Sequence, residues 1–266
     1  MAKKHTARSL QRAADRGERL VGVTAYTHPM ARFAEEAGID LILVGDSVGM
    51  VELGYPDTLP VTMDEMIHHC RAVRRGAPQT FVVGDMPFMS YQVSDEEAVR
   101  NAGRFVKEGG CDAVKVEWCA SAPQRVRAIT EAGMLVMGHV GFTPQRTAQL
   151  GGYRVQGRGD ARRHVVEQAL ALQEAGAFCI LIEMATPETG RAVTEAVDVF
   201  TVGVGAGDHP HMQLVVMNDL LGLFREFKPR YVKRYAELAD VITDALKRYA
   251  EDVRERRFPS EENFYE

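Results

Sequence analysis

Lys115 and Glu117 stand two apart in "AVKVE", so in an extended strand their side chains share one face while Val114 and Val116 take the other. Burying either charge alone is expensive. The pair therefore reads either as a salt bridge on a surface strand or as part of a polar cluster at the mouth of a site. Other short apolar runs also end in titratable residues: Asp46 after "LILVG", Asp85 after "FVVG", His139 after "LVMG" and Glu183 after "ILI". Taken singly, Asp46 and Asp85 also read as helix caps or turn formers, His139 as a hydrogen-bonded packing residue and Lys115 as a solvated strand end. Taken together, these carboxylates would repel one another at a common mouth unless a cation neutralised them. Asp46, Asp85 and Glu117, with no cysteine or second histidine beside them, form the oxygen-rich donor set of Mg²⁺ rather than Zn²⁺. A metal held there could take both the keto and the carboxylate oxygen of a 2-oxo acid and stabilise the enolate left when the neighbouring carbon loses a proton, with Lys115 adding positive charge.

The elements that must position these groups are legible in the hydropathy pattern. Eight apolar runs, "LVGVTAY", "DLILVGD", "TFVVGD", "AVKVE", "LVMGH", "CILIE", "VFTVGVGAG" and "QLVVMND", alternate with stretches of helical spacing such as "TMDEMIHHCRAVRRG" and "DARRHVVEQALALQEAG". Runs that are apolar on both faces imply parallel strands covered by helices. Eight such units in 266 residues predict a (β/α)₈ barrel over the whole chain, 1–266, as a single domain. The eighth run is the least regular and also reads as a helix or irregular loop. An N-terminal helix is expected over about 5–17, and "KPRYVKRYAELADVITDALKRYAEDVRERRF" predicts a C-terminal helical segment over about 229–257, packing on the barrel or on a neighbouring subunit. In a barrel the C-terminal strand ends converge on one mouth, which is where the titratable residues fall.

The remaining features narrow the class. A net charge of -5 provides no basic footprint for nucleic acid. No apolar run is long enough to span a bilayer, and the four cysteines are scattered without a C-x-x-C pair, so a cytoplasmic protein with reduced thiols is expected. His68 and His69 in "HHC" point different ways on a helix and lack a third partner, which favours a surface or interface helix over a metal site. "TVGVGAG" lacks the full dinucleotide spacing and suits close backbone approach or a tight turn. "GGYRVQGRG" at 151–159 is either a mobile loop over the mouth or an ordinary surface loop.

The stretches "VGDSVGM", "LPVTMDEMIHHCRAVRRGAP", "DMPFMSYQ", "VKVE", "GHVGFTPQ", "GGYRVQGRG", "LIEM" and "GVGAG" occur in an order that resembles the ketopantoate hydroxymethyltransferase family. The resemblance implies a barrel of the phosphoenolpyruvate mutase type, assembled as a homo-oligomer, a decamer built from dimers. It also implies transfer of a hydroxymethyl group from 5,10-methylenetetrahydrofolate to 3-methyl-2-oxobutanoate, giving 2-dehydropantoate for pantothenate synthesis. By match to the motifs, Asp46 and Asp85 are expected to ligate Mg²⁺, with Glu117 in the metal shell directly or through water. Asp46, Ser47, Asp85 and Lys115 are expected to bind the 2-oxo acid, Glu183 to accept the proton and His139 to orient substrate. "PFMSY" and "GFTP" are candidates for an apolar wall against the folate.

The chain departs from the family pattern at Thr27 in "TAYTHP", at Trp118 in "EWC", at His211 and at Asn218. An indole beside Glu117 would narrow the pocket if it faced the mouth, and alternation with Glu117 favours the outward orientation. These departures leave the Mg²⁺ and 2-oxo acid residues whole and bear on the donor and the exact acceptor. Two alternatives are a paralogue acting on another 2-oxo acid and a folate-independent, Mg²⁺-dependent aldolase or lyase on the same barrel. A non-catalytic scaffold is the third.

Overall fold

The computed structural model describes residues 4–265. Strands β1 (Leu20–Thr24), β2 (Leu41–Val44), β3 (Phe81–Asp85), β4 (Ala113–Glu117), β5 (Val136–Gly141), β6 (Cys179–Glu183), β7 (Phe200–Val204) and β8 (Met212–Val215) pair in chain order. Every pair is parallel and β8 returns to β1, closing the barrel predicted from the eight apolar runs. The connecting helices begin where the sequence supplies caps. Thr62 and Glu65 form a capping box ahead of Met63–Gly76, and the Ser94 hydroxyl accepts from Glu97 N ahead of Asp95–Lys107. Both helices carry acids in the first turn and bases in the last, matching the backbone dipole.

The period of two decides what fills the interior. Leu41 and Leu43, Phe81 and Val83, Cys179 and Leu181, Phe200 and Val202, and Met212 and Leu214 belong to one buried apolar cluster, joined by Ala113 and Met137. The helix Ala7–Asp15 adds Leu10, Ala13 and Ala14 to that cluster, and its Gln11 Oε1 accepts from Phe200 N at 2.8 Å, so it stoppers the N-terminal end of the strands. This helix sits within the predicted span, and its capping pair is Thr6 and Ser9.

The structure departs from the sequence reading in three places. The strand and helix repeat fails between β7 and β8, where residues 205–211 return the chain with no helix. Seven extended residues reach about 23 Å, enough to run back along a short strand, and the glycines and proline of "GAGDHP" favour turns over helix. The C-terminal helix is Leu238–Arg254, shorter than the span 229–257. The chain leading into it and its first two residues are tied instead to 220–222: Tyr235 N donates to Leu220 O, Leu238 N to Leu221 O and Ala239 N to Gly222 O. The chain divides into two compact units, with the boundary between Val216 and Met217, where the sequence reading drew one domain with a C-terminal extension. The eighth run becomes β8 followed by the short helix Met217–Leu220 of the second unit. Among the described residues no helix is long and apolar enough to cross a membrane, and all four cysteines are free.

Candidate active site

Continuing the inward positions toward the C-terminal ends changes the chemistry. On β3 the series is Phe81, Val83, Asp85; on β4 Ala113, Lys115, Glu117; on β5 Met137, His139; on β6 Cys179, Leu181, Glu183. Register then sets neighbours side by side, Asp85 opposite Lys115 and Glu117 opposite His139. Lys115 Nζ lies 3.0 Å from Asp85 Oδ2, 3.8 Å from Glu117 Oε1 and 3.1 Å from His139 Nδ1. His139 Nε2 stands 3.4 Å from Glu183 Oε2, at ion-pair distance but outside hydrogen-bond alignment. Asp46 joins from the turn after β2, its N–H donating to Asp85 Oδ2 at 3.0 Å. Thus Asp46, Asp85, Lys115, Glu117, His139 and Glu183 are gathered at one rim, and Lys115 and Glu117 are buried rather than on a surface strand.

The cap reading of Asp46 fails, because Ser47 holds the N-cap position of Val48–Val51 and Asp46 Oδ2 accepts from Gln145 Nε2 at 3.0 Å. Ser47 Oγ makes no capping bond and lies 2.8 Å from the Tyr26 hydroxyl. Burial pushes the Asp85 carboxyl up to about 8, with Lys115 opposing the shift and Asp46 adding to it. Burial likewise lifts Glu117 well above the carboxylate range. Burial works against the Lys115 charge, yet Asp85, Glu117, Asp46 and Glu183 together hold its pKa above the ordinary value, so it stays an ammonium. Burial and the Lys115 charge depress His139, keeping it neutral. Since the ammonium can only donate, His139 Nδ1 accepts and the ring proton sits on Nε2, which has no aligned acceptor.

Among the described residues no group of three His, Cys, Asp or Glu converges at metal-binding spacing. Two carboxylate oxygens, Asp85 Oδ1 and Glu117 Oε1, are nonetheless buried without a hydrogen-bond partner. Buried acceptors are normally satisfied, so each points to a positively charged or donating visitor.

The rim loops complete the enclosure. Gly141, at φ +89°, ends β5 where an added Cβ would stand 2.3 Å from Glu183 O, so only glycine allows the two backbones this close. Met184, directly after Glu183, takes a left-handed φ of 41°. Its backbone is held on both sides, N–H to Val204 O at 2.9 Å and carbonyl from Gln156 N at 2.8 Å, which keeps the strained residue in place. The segment 151–159 crosses the mouth rather than lying on an unrelated surface. Gln156 bridges Ala185 after β6, Tyr153 packs on Phe142 after β5 with ring centroids 5.0 Å apart, and the Tyr153 hydroxyl reaches Met50 Sδ after β2 at 3.8 Å.

The departures from the family pattern fall unevenly. Thr27 still caps a helix, its hydroxyl accepting from Met30 N at 3.4 Å ahead of His28–Glu36. Trp118 extends the β4 ladder by donating to His139 O at 2.8 Å, and continued alternation turns its half-buried indole away from the Glu117 face. His211 lies at the start of β8, the rim opposite the carboxylates, where its Nδ1 is 3.1 Å from Thr201 N. Asn218 belongs to the short helix of the second unit. His68 is exposed on Met63–Gly76 as expected, while His69 Nδ1 lies 2.8 Å from Tyr26 O.

Gln145 is the buried member of the cluster that pattern reading missed, bonded to Asp46 and Glu117. It follows Pro144 in a 3-10 turn after β5, and a lone glutamine in a loop carries no periodicity. Only its place in the word "GFTPQ" could have marked it.

A closed parallel barrel with a cluster of titratable side chains on its C-terminal rim defines the class, an α/β-barrel enzyme of the kind whose active site sits at that rim. The chain matches the ketopantoate hydroxymethyltransferase family over residues 4–261 and belongs to it. A 3-methyl-2-oxobutanoate hydroxymethyltransferase of Thermus thermophilus is 51% identical over 251 residues, covering 94% of this chain and 96% of that protein. The same-named protein of Moorella thermoacetica is 51% identical over 257 residues, covering 96% of each. Among solved structures, phosphonopyruvate hydrolase complexed with oxalate and Mg++ superposes with a TM-score of 0.61 at 17% identity, covering 97% of this chain and 93% of that one. The corresponding values for 2,3-dimethylmalate lyase, a member of the PEP mutase/isocitrate lyase superfamily, are 0.62 and 16%, covering 97% and 91%. These two likenesses carry the fold.

Proposed function

We propose that the chain transfers a hydroxymethyl group from 5,10-methylenetetrahydrofolate to 3-methyl-2-oxobutanoate, yielding 2-dehydropantoate for pantothenate synthesis. The observation that carries this reading is the gathering of Asp46, Asp85, Lys115, Glu117, His139 and Glu183 on one barrel rim, in a chain whose relatives bear that enzyme's name.

Mg²⁺ fits the donor set. Carboxylates outnumber the single ammonium, and the partnerless Asp85 Oδ1 and Glu117 Oε1 are oxygens a cation would satisfy. Mg²⁺ takes one or two carboxylates and retains several waters, which suits direct binding by Asp46 and Asp85 and a water-mediated role for Glu117. Bound there, the ion supplies positive charge to the keto and carboxylate oxygens of a 2-oxo acid, lowering the cost of removing the C3 proton.

The chain's own groups supply the rest. Lys115, a buried ammonium, donates to the same substrate oxygens, and Ser47 offers a hydroxyl next to Asp46. Glu183, with its side chain 19% exposed, is the proton acceptor, reachable from the mouth but backed by the strand end. Neutral His139 presents Nε2–H to substrate or to Glu183, orienting both. Tyr153, exposed and packed on the buried Phe142, offers an aromatic face next to the mouth that suits the folate ring. The free cysteines suit a cytoplasmic setting. A homo-oligomer is part of this reading, supported by the exposed Ile242, Leu246, Tyr249 and Val253 at helical spacing on Leu238–Arg254.

The test is a donor and acceptor screen on the purified chain with Mg²⁺. Exchange of the C3 proton of 3-methyl-2-oxobutanoate into D₂O, followed by folate-dependent 2-dehydropantoate, is the expected result. Absence of both overturns the reading, and turnover without folate assigns the barrel to aldolase or lyase chemistry instead.

A further inference from the structure

We infer that Gln145 is a positioning residue, which sets the orientation of Asp46 and Glu117 before any cation or substrate arrives. It rests on the proposed Mg²⁺ and 2-oxo acid site. Every bonding position of its side-chain amide is used. Nε2 donates to Asp46 Oδ2 at 3.0 Å and to Met86 O at 2.9 Å, while Oε1 accepts from the Tyr91 hydroxyl at 2.8 Å and from Gln92 Nε2 at 3.2 Å. The backbone N–H of the same residue donates to Glu117 Oε2 at 3.1 Å. Both groups facing Nε2 can accept, and the Met86 carbonyl can do nothing else, so the amide has one stable sense and cannot flip.

The residue type matters as much as the geometry. Gln145 is 5% exposed and lies among carboxylates that already outnumber the ammonium. A glutamate there would add repulsion, and a lysine or arginine would neutralise the cluster and compete with a cation. The side-chain amide fixes Asp46 and the backbone N–H fixes Glu117, and neither adds charge to the cluster. Nε2 occupies Asp46 Oδ2 and the backbone N–H occupies Glu117 Oε2, while Glu117 Oε1 is left without a hydrogen bond, 3.8 Å from Lys115 Nζ and 3.7 Å from His139 Nδ1.

The anchoring continues outward. Arg125 Nε donates to Tyr91 O at 3.0 Å, and its guanidinium also reaches the Gln92 and Val93 carbonyls and pairs with Asp95. The buried Arg125 therefore holds the loop whose Tyr91 and Gln92 grip Gln145. Outer partners that orient metal ligands are typically worth about 10–100-fold in affinity.

The experiment compares the unmodified chain with Gln145→Met, which keeps length and volume but removes all four side-chain bonds. Tyr91→Phe, which removes only the bond to Oε1, serves as a second variant should the first fail to fold. Mg²⁺ binding is measured by calorimetry with 3-methyl-2-oxobutanoate present, and turnover is titrated with Mg²⁺. The expected result is Mg²⁺ binding about 10–100-fold weaker in Gln145→Met and weaker by a smaller factor in Tyr91→Phe, with turnover restored in both by excess Mg²⁺. A merely structural defect would not be rescued by the ion. Variants that bind Mg²⁺ within twofold of a chain that itself binds it, or whose turnover excess Mg²⁺ does not restore, overturn the positioning role alone. An unmodified chain that binds no Mg²⁺ overturns the underlying site as well.

Discussion

The two ends of the barrel are built from the same strands, on the same inward face, and have opposite chemistry. At the N-terminal end Phe81, Ala113, Met137, Cys179, Phe200 and Met212 meet Leu10 and Ala13 of the stoppering helix in an apolar core. One or two inward positions further along, β3, β4, β5 and β6 present Asp85, Lys115 with Glu117, His139 and Glu183. β7 stays apolar throughout, from Phe200 through Val202 to Val204. The fold therefore fixes where a side chain points, and residue choice at the last inward positions alone turns a packed core into a reactive mouth.

Substitutions at the two ends should separate stability from activity. The largest effect is expected from Lys115→Met, which strands Asp85 and Glu117 without their ammonium. Chemical denaturation should show a loss of about 3–5 kcal/mol. Steady-state kinetics should show kcat/KM lower by about 10²–10³. Next is Phe200→Ala at the apolar end, which should cost about 3–5 kcal/mol through its cavity while kcat/KM per folded molecule stays within a few-fold. Equal loss of activity in both variants would erase the division between the ends.

Gly141→Ala should destabilise by about 1–3 kcal/mol, because φ +89° and the Glu183 carbonyl leave no place for a Cβ. Since that carbonyl belongs to Glu183, the proposed proton acceptor, kcat should fall more than KM rises. An unchanged kcat would detach Glu183 from the chemistry.

The smallest effect should come from Asp219→Asn in the second unit, where a carboxylate is buried outside the cluster of charged groups at the mouth. Burial raises Asp219 to about 6, against a smaller opposing effect of Arg234. With a folded pKa above the unfolded one, its contribution to stability is full below about pH 4 and is lost as pH rises through about 6. The asparagine variant should therefore be the more stable form at pH 7 and match the unmodified chain near pH 4. A pH-independent difference would locate the cost in packing instead of charge.

The barrel and most of the site were legible because both rest on a period of two. Lys115 and Glu117, read from "AVKVE", fall on the inward face with Ala113, and Asp85 and Glu183 end β3 and β6 as their apolar runs suggested. What escaped was set by loops. Gln145 acts through bonds to residues far along the chain, such as Asp46 and Tyr91, and nothing local in "TPQ" encodes them. The missing helix between β7 and β8 shows that a strand count can be right where the crossover rule fails. Residues 229–237 carry a helical pattern, yet neighbouring backbone bonds to 220–222 claim the groups a helix would have used at their end. His211 matched a departure from the family pattern but sits at the inactive rim, so sequence neighbourhood misjudged its distance from the chemistry.

The stopper formed by Leu10, Ala13 and Ala14 leaves the charged rim as the open end of the barrel for chemistry. With that end packed, the proposed reactants and product would come and go on the side of the rim loops. On the proposed reaction, a keto acid beside Lys115 with the folate above it would have to bind first, and the spent carrier would leave before the lengthened acid.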